Sequence, residues 1–253
     1  MPMTGNGIVI YIFEPNNFAT FQSSIAIQKA EAGYQPVSDV GNINGSGSLR
    51  GIPQILDISC NPLVQCQQSK IPFARSVARF SSNGKGGTGT LINNEANNGR
   101  AYFLTAFHVL DKNKNGILDA SEIDALSTAA FQFQFWRRNC NGIDNTTGIQ
   151  FFGAVLRGSN VNTDVVLLEL LNQPGIGDNV NYAGWNRQTS APADYSSFLI
   201  HHSEGQDMRI TSVKNISSWV LNNSYWSANY YNGTVTYGSS GSALMNQNGQ
   251  IIG

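Results

Sequence analysis

Residues 238 to 243 read Gly-Ser-Ser-Gly-Ser-Ala, which sets Ser240 in a cradle of glycines. A serine hydroxyl is a poor nucleophile near neutral pH and needs an adjacent base to take its proton. It also needs N–H donors aimed where the oxyanion of a tetrahedral intermediate develops. Glycine two residues before the serine lets the backbone turn sharply, so the N–H groups of Gly238 and Ser240 are the candidate donors. Short Gly-x-Ser-Gly strings also arise in ordinary turns, so the motif carries weight only if its partners are present. The chain has three histidines, His108, His201 and His202. His108 stands at the exit of the apolar run Ala101-Tyr-Phe-Leu-Thr-Ala-Phe-His108. Asp164 follows the polar turn Asn162-Thr163 and opens the apolar run Val165-Val-Leu-Leu-Glu-Leu170. An acid at the mouth of such a strand can be oriented to hold one imidazole tautomer.

The order His108, Asp164, Ser240 resembles that of the chymotrypsin-type serine proteases. The Thr-Ala-x-His string around His108 and the Asp-x-x-Leu-Leu string at Asp164 match the patterns of that superfamily. Further matches lie between the three motifs. Leu91-Ile-Asn-Asn94, Ala183-Gly-Trp-Asn-Arg187, Leu199-Ile-His-His202 and Arg209-Ile210 resemble the bacterial lysyl endopeptidases, secreted proteases that cut after lysine. This likeness spans residues 58 to 253. It implies a catalytic triad of His108, Asp164 and Ser240, with an oxyanion hole from Gly238 and Ser240. It implies a structural role for the His201-His202 pair, for which a zinc reading lacks a third ligand. Trp219 matches an aromatic lining the family's cleft. Ser239 stands where vertebrate digestive proteases carry the aspartate that receives a new N-terminal ammonium, so that activation switch is not indicated.

The resemblance also sorts the three cysteines, Cys60, Cys66 and Cys140. It pairs Cys66 with Cys140 and matches Cys60 to a cysteine whose partner lies beyond Gly253. A further family disulfide beside the catalytic histidine loses both halves together, at Gly87 and Val109. Residues that set lysine preference also lie beyond Gly253 in the family. On this reading the chain is C-terminally truncated, its second barrel is incomplete, and the fragment is expected to be inactive or unstable.

Three residues after His108 begins Asp111-Lys-Asn-Lys-Asn-Gly-Ile-Leu-Asp-Ala-Ser-Glu122. The spacing is that of an EF-hand calcium loop. Oxygen ligands would come from Asp111, Asn113, Asn115, the Ile117 carbonyl, Asp119 and bidentate Glu122, with Gly116 making the sharp turn. Three carboxylates suit a weak site filled at extracellular calcium levels. The lysyl endopeptidase pattern lacks this loop, so a structural Ca2+ rests on spacing alone. The chemistry itself calls for no cofactor. Calcium in this loop would order the histidine turn in place of the missing disulfide.

The elements that must position these groups read as all-β. Runs at Arg75 to Ser81, Thr88 to Asn93, Ala101 to Thr105, Ala130 to Arg137 and Gln150 to Arg157 are separated by frequent turn signals. Phe131-Gln-Phe-Gln-Phe135 alternates as a half-buried strand should. A second set includes Ser197 to His201, Arg209 to Val213 and Thr234 to Tyr237. With the resemblance, this implies two antiparallel six-stranded barrels of chymotrypsin type, the EF-hand loop being inserted after the histidine. The expected division is an N-terminal barrel over 58–175 and a C-terminal barrel over 176–253. Residues 1–57 would be a propeptide tail or accessory β-region, with strands at Gly7 to Pro15 and Phe21 to Ile27 and a linker at Gly41 to Ser48.

Net charge is −1 and 12% of residues are charged, about half the usual share. This excludes a polybasic nucleic-acid or membrane-surface binder, and no apolar run approaches the ~20 residues of a membrane span. Richness in Asn, Ser, Gly and Thr fits a secreted bacterial β-protein, although the N-terminus lacks signal-peptide features. Expected partners are protein or peptide substrates, with the chain a monomer and no nucleic acid or membrane involved. Within the enzyme class, a glutamyl endopeptidase-like preference is the alternative. Outside it, the alternative is a non-catalytic, calcium-stabilised adhesive β-domain.

Overall fold

A computed structural model describes residues 61–144, 146–187, 190, 196–219 and 225–253. The expected strands and linker of residues 1–57 lie outside the described residues, as does Cys60. The described residues all belong to one unit, Tyr34–Gly253.

After two 3-10 turns at Val64–Cys66 and Gln68–Lys70, the described residues form a short helix, α1 (Ile71–Ala74), and then a hairpin of β1 (Val77–Ser82) and β2 (Lys85–Ile92). The hairpin turns on Asn83-Gly84, both at positive φ (51° and 76°). Such a two-residue turn matches the right-handed twist of the flanking strands. It starts β2 three residues before the expected Thr88. β3 (Tyr102–Ala106) leads into a single helical turn, α2 (Phe107–Leu110). The calcium-like loop follows and ends in α3 (Ala120–Asp124), then β4 (Ala130–Phe133), β5 (Ile149–Phe152), β6 (Ala154–Asn160) and β7 (Val165–Leu170).

These seven strands form one antiparallel sheet in the order β5-β4-β1-β2-β3-β7-β6. Its end strands, β5 and β6, are consecutive in the chain and joined by Gly153 alone, so the sheet curls back on itself as a half-barrel. The sequence reading gave one strand over 150–157 and a six-stranded barrel. The break at Gly153 (φ +78°) supplies the extra strand. Inside the curl, Phe80, Phe103, Phe131 and Phe133 are fully buried, with ring centroids 4.9 to 5.9 Å apart between Phe80, Phe103 and Phe131. The expected alternation of the Phe-Gln run stops early. Gln132 is buried as well, its Nε2 donating to the Thr147 carbonyl at 2.7 Å, and β4 ends before Gln134, which adopts φ 56°.

The second sheet has four strands in the order β10-β9-β8-β11, where β8 is Ser197–His201, β9 Arg209–Trp219, β10 Tyr225–Asn232 and β11 Leu244–Met245. Phe198, Ile200, Met208, Ile210 and Met245 form its core with Val64 and Val77. Residues 234–237, expected as a strand, are not one. They enter the loop that carries Ser240 between β10 and β11. Cys66 and Cys140 are disulfide-bonded across 74 residues, with Cα atoms 4.6 Å apart. Among the described residues no helix is long and apolar enough to cross a membrane.

Candidate active site

The pairing of β3 with β7 brings the first two site residues together. Ala106 lies opposite Val165, so the residues just past that pair, at the entry to α2 and before β7, come face to face. His108 Nδ1 lies 2.6 Å from Asp164 Oδ2, and the His108 backbone N–H donates to Asp164 Oδ1 at 2.9 Å. The Phe107 N–H donates to the Asp164 carbonyl at 3.0 Å. Asp164 thus grips the turn at three points. Its left-handed φ of 53° is a conformation that aspartate tolerates better than bulkier residues. The hydrogen bond that the His108 ring donates to Asp164 raises the His108 pKa above its ordinary value, against an opposing burial effect. Burial alone would raise the Asp164 carboxyl, but hydrogen bonds from the His108 ring and backbone hold it below the usual range.

Ser240 approaches this pair from the second sheet. The Thr88 N–H of β2 donates to the Ser240 carbonyl at 2.8 Å, and the Thr88 hydroxyl donates to the Gly238 carbonyl at 2.8 Å. A Cβ on Gly241 would fall 2.2 Å from the Thr88 carbonyl oxygen and 2.9 Å from the Ala106 nitrogen. Only glycine permits so close an approach to the strand that leads to His108. Gly238 is held at φ +85°, and a Cβ there would meet the His202 carbonyl oxygen at 2.6 Å. Among the described residues, the Gly238 and Ser240 N–H groups donate to no protein acceptor. No hydrogen bond joins the His108 ring to Ser240 Oγ. Such bonds are commonly long in a free enzyme and tighten when substrate binds.

The calcium-like loop leaves α2 directly. Asp111 and Glu122 are 6% and 4% exposed. Their carboxylates accept backbone N–H groups of the loop. Asn115 and Gly116 donate to Asp111 at 3.1 and 2.9 Å, and Lys112 and Asp119 donate to Glu122 at 2.6 and 3.1 Å. Among the described residues neither carboxylate has an ion-pair partner. Both buried carboxylates are thus held by backbone N–H groups of the loop. Among the described residues, no three His, Cys, Asp or Glu side chains gather as a metal cluster. A cation here would therefore depend on amide and carbonyl oxygens as well, the donor set of Asn113, Asn115 and Ile117. Asp119 also caps α3, accepting the Glu122 N–H at 3.0 Å. The residues fit a hard, oxygen-seeking ion such as Ca2+.

The remaining site residues divide. The joint loss at Gly87 and Val109 is spatially coherent, since a Cβ on Gly87 would lie 3.1 Å from the Val109 side chain. Trp219 sits in β9 opposite Tyr225, and its side chain lies outside the described residues. His201 and His202 are fully buried. Thr88 escaped the sequence reading, yet it clamps the serine loop twice. The signal was the Gly86-Gly-Thr-Gly-Thr90 run, since glycines inside a strand mark close approach of another backbone.

A family model described as the lysyl endopeptidase C-terminal domain matches residues 56–253. The chain belongs to the lysyl endopeptidase family. That family is one of trypsin-like serine proteases, so the lysyl endopeptidase reading accounts for the β-rich architecture around His108, Asp164 and Ser240. Among solved structures, Deg5 is 14% identical, with a TM-score of 0.52 over 75% of this chain and 83% of its own. At that identity the likeness concerns the fold, a mostly β, chymotrypsin-like one. The inactive form of the Rv3671c protease of M. tuberculosis is 15% identical, with a TM-score of 0.48 over 76% of this chain and 83% of that one.

Proposed function

We propose that this chain is a secreted serine endopeptidase that cleaves protein or peptide substrates after lysine through an acyl-enzyme. The observation that carries this reading is the His108–Asp164 pair at 2.6 Å, with the glycine-flanked Ser240 loop packed on Thr88 and against Ala106. Ser240 Oγ attacks the scissile carbonyl carbon while His108 Nε2 takes the hydroxyl proton. The carbonyl oxygen becomes an oxyanion that accepts from the Gly238 and Ser240 N–H groups. His108 then returns the proton to the leaving amine, and a water activated by the same nitrogen releases the acyl group. Asp164 accepts from Nδ1–H throughout and steadies the imidazolium. The preference for lysine is supported by the family match. Secretion is supported by the composition and the disulfide. Asp111, Asn113, Asn115, the Ile117 carbonyl, Asp119 and Glu122 are the proposed holders of a structural calcium ion, which supplies order to the histidine turn and takes no part in bond making.

Labelling of the purified, calcium-loaded protein with a fluorophosphonate probe tests the reading. Labelling should vanish in Ser240→Ala, and hydrolysis of peptides with lysine before the scissile bond should fall on the order of 10^6-fold. Absence of both labelling and hydrolysis in properly processed, calcium-loaded protein would sink the enzyme reading in favour of an adhesive β-domain. Hydrolysis after glutamate instead of lysine would overturn the proposed specificity.

A further inference from the structure

One hydrogen-bonded network in the second sheet is not used by the reaction. His201 ends β8, and its ring is fully buried. Its Nδ1 lies 2.9 Å from both Ser239 Oγ and Ser203 Oγ, and these two hydroxyls are 3.0 Å from each other. Its Nε2 lies 2.9 Å from Thr211 Oγ1 on β9. Ser239 is the residue immediately before Ser240 and is 5% exposed.

The proton arrangement of this network follows from its far end. The Thr211 hydroxyl donates to the Thr234 carbonyl at 2.9 Å, so its oxygen must accept from His201 Nε2–H. A neutral imidazole protonated at Nε2 leaves Nδ1 as an acceptor. Nδ1 therefore accepts a hydrogen bond from a hydroxyl of the Ser239–Ser203 pair. Burial, with the Arg209 charge adding to it, lowers the His201 pKa to about 4, which keeps the ring neutral.

The network grips both ends of one loop. Thr234 begins the segment that enters the glycine cradle, and Ser239 sits inside it. Between them the loop closes on itself, with the Ser239 N–H donating to the Thr236 carbonyl at 3.1 Å and the Thr236 N–H donating to Ser239 Oγ at 3.3 Å. Adjacent residues of an extended or turning chain point their side chains apart. Anchoring Ser239 inward therefore directs Ser240 outward and fixes the backbone from Gly238 to Ser240, whose N–H groups donate to no protein acceptor among the described residues.

We propose that His201 is a positioning residue for the oxyanion hole, acting through Ser239 to fix the Gly238–Ser240 backbone by neutral hydrogen bonds alone. This rests on the reading of Ser240 as nucleophile. The chemistry predicts which replacements matter. Asparagine carries its amide close to the position of Nδ1, and glutamine close to that of Nε2. His201→Asn should retain the grip on Ser239, whereas His201→Gln retains only the grip on Thr211. Ser239→Ala removes the grip while leaving a small residue in a buried place.

The test measures kcat and KM separately for a lysine-containing peptide, with thermal melting of each variant alongside. Ser239→Ala and His201→Gln should lose roughly ten- to a hundredfold in kcat, a partial version of losing one oxyanion donor, with KM within about twofold. His201→Asn should recover most of kcat at a melting temperature no higher than that of His201→Gln. If Ser239→Ala keeps full kcat, or if His201→Asn and His201→Gln fall together, the positioning role is overturned. Parent activity that survives Ser240→Ala would instead overturn the nucleophile assignment beneath it.

Discussion

The two halves of the candidate site are held in opposite ways. On the first sheet, His108 and Asp164 form an ionisable pair whose side chains are 56% and 40% exposed. On the second, His201 and His202 are sealed from solvent and kept neutral. The hydrogen bond to Asp164 pushes the His108 pKa up. Burial pulls His201 down to about 4 and His202 down to about 3. The difference follows from what each must do. A general base must exchange protons near working pH and so must meet water and substrate. A residue that fixes backbone geometry is best left without a charge to solvate, and both ring nitrogens of His201 have fixed partners.

The sharpest way to break the comparison is to remove the charge from the first half. In Asp164→Asn the carboxylate that selects the Nδ1–H tautomer is gone, while the amide keeps the shape. kcat should fall about 10^4-fold, with the fold unchanged by circular dichroism. The residual activity carries a second signature. His108 must be neutral to accept the serine proton, so the acid limb of kcat/KM follows its raised pKa in the parent protein. Without Asp164 that limb should move to lower pH. A variant with parental kcat, or with its acid limb unmoved, would show that the pair does not serve as base and orienter.

How far these halves could be read from sequence differs for a physical reason. His108 and Asp164 announce themselves because each ends or begins an apolar run, and strand pairing then forces them together. The Cys66–Cys140 bond was legible through family resemblance, and the structure contains it. The Ser239 network was not legible. Its members, Ser203, Thr211, Thr234 and Ser239, are small polar residues in a chain rich in them, and their meeting depends on the register of β8 with β9, where His201 faces Arg209. Sequence gave His201 only a structural label. The seventh strand of the first sheet was hidden because the apolar run of 150–157 continues through Gly153, where the backbone takes φ +78°. Thr234 to Tyr237 looked like a strand by residue type, but its backbone bonds go to the Asn61 and Thr211 side chains, the Glu204 N–H and Ser239 instead of to a strand ladder.

A middle-sized effect should appear in acid. His201 and His202 have folded pKa values below the ordinary 6.5, so between pH 6.5 and about 4 the unfolded chain binds protons that the folded one refuses. Stability is full above pH 6.5 and falls as pH drops through that window. The His108–Asp164 pair acts oppositely, since a raised histidine pKa favours the folded state below pH 6.5 and loses that effect as pH rises through the raised value. His202 stacks on Phe135, with ring centroids 6.2 Å apart, so His202→Phe preserves much of the packing. The slope of unfolding free energy against pH, measured by urea melts between pH 5 and 6, should drop by close to one proton, roughly 1 kcal/mol per pH unit. An unchanged slope would mean that His202 titrates in the folded state, and the contrast between the halves would fail there.

The smallest expected effect concerns the loop that continues α2. Asp111 begins it three residues after His108, its N–H donates to the Phe107 carbonyl at 3.1 Å, and its own carbonyl accepts from Lys85 Nζ at 2.8 Å. Ordering the loop therefore bears on the histidine turn, while the Thr234–Ser240 loop is fixed by other contacts. A weak extracellular-type site, with Kd near 10^-4 to 10^-3 M, at ten- to hundredfold excess calcium adds about 1.4 to 2.7 kcal/mol. In a chain of this size that is a rise in melting temperature of roughly 3 to 11 °C. Hydrogen exchange should slow across Phe107 to Glu122 and stay unchanged across Thr234 to Ser240. Glu122→Gln should abolish both responses to calcium without removing the fold, because the amide can still accept from the Lys112 N–H. A melting temperature indifferent to calcium would reject the metal. Protection that spread equally to the serine loop would show instead that the two halves are one cooperative body, and that their separate modes of support do not make them separately adjustable.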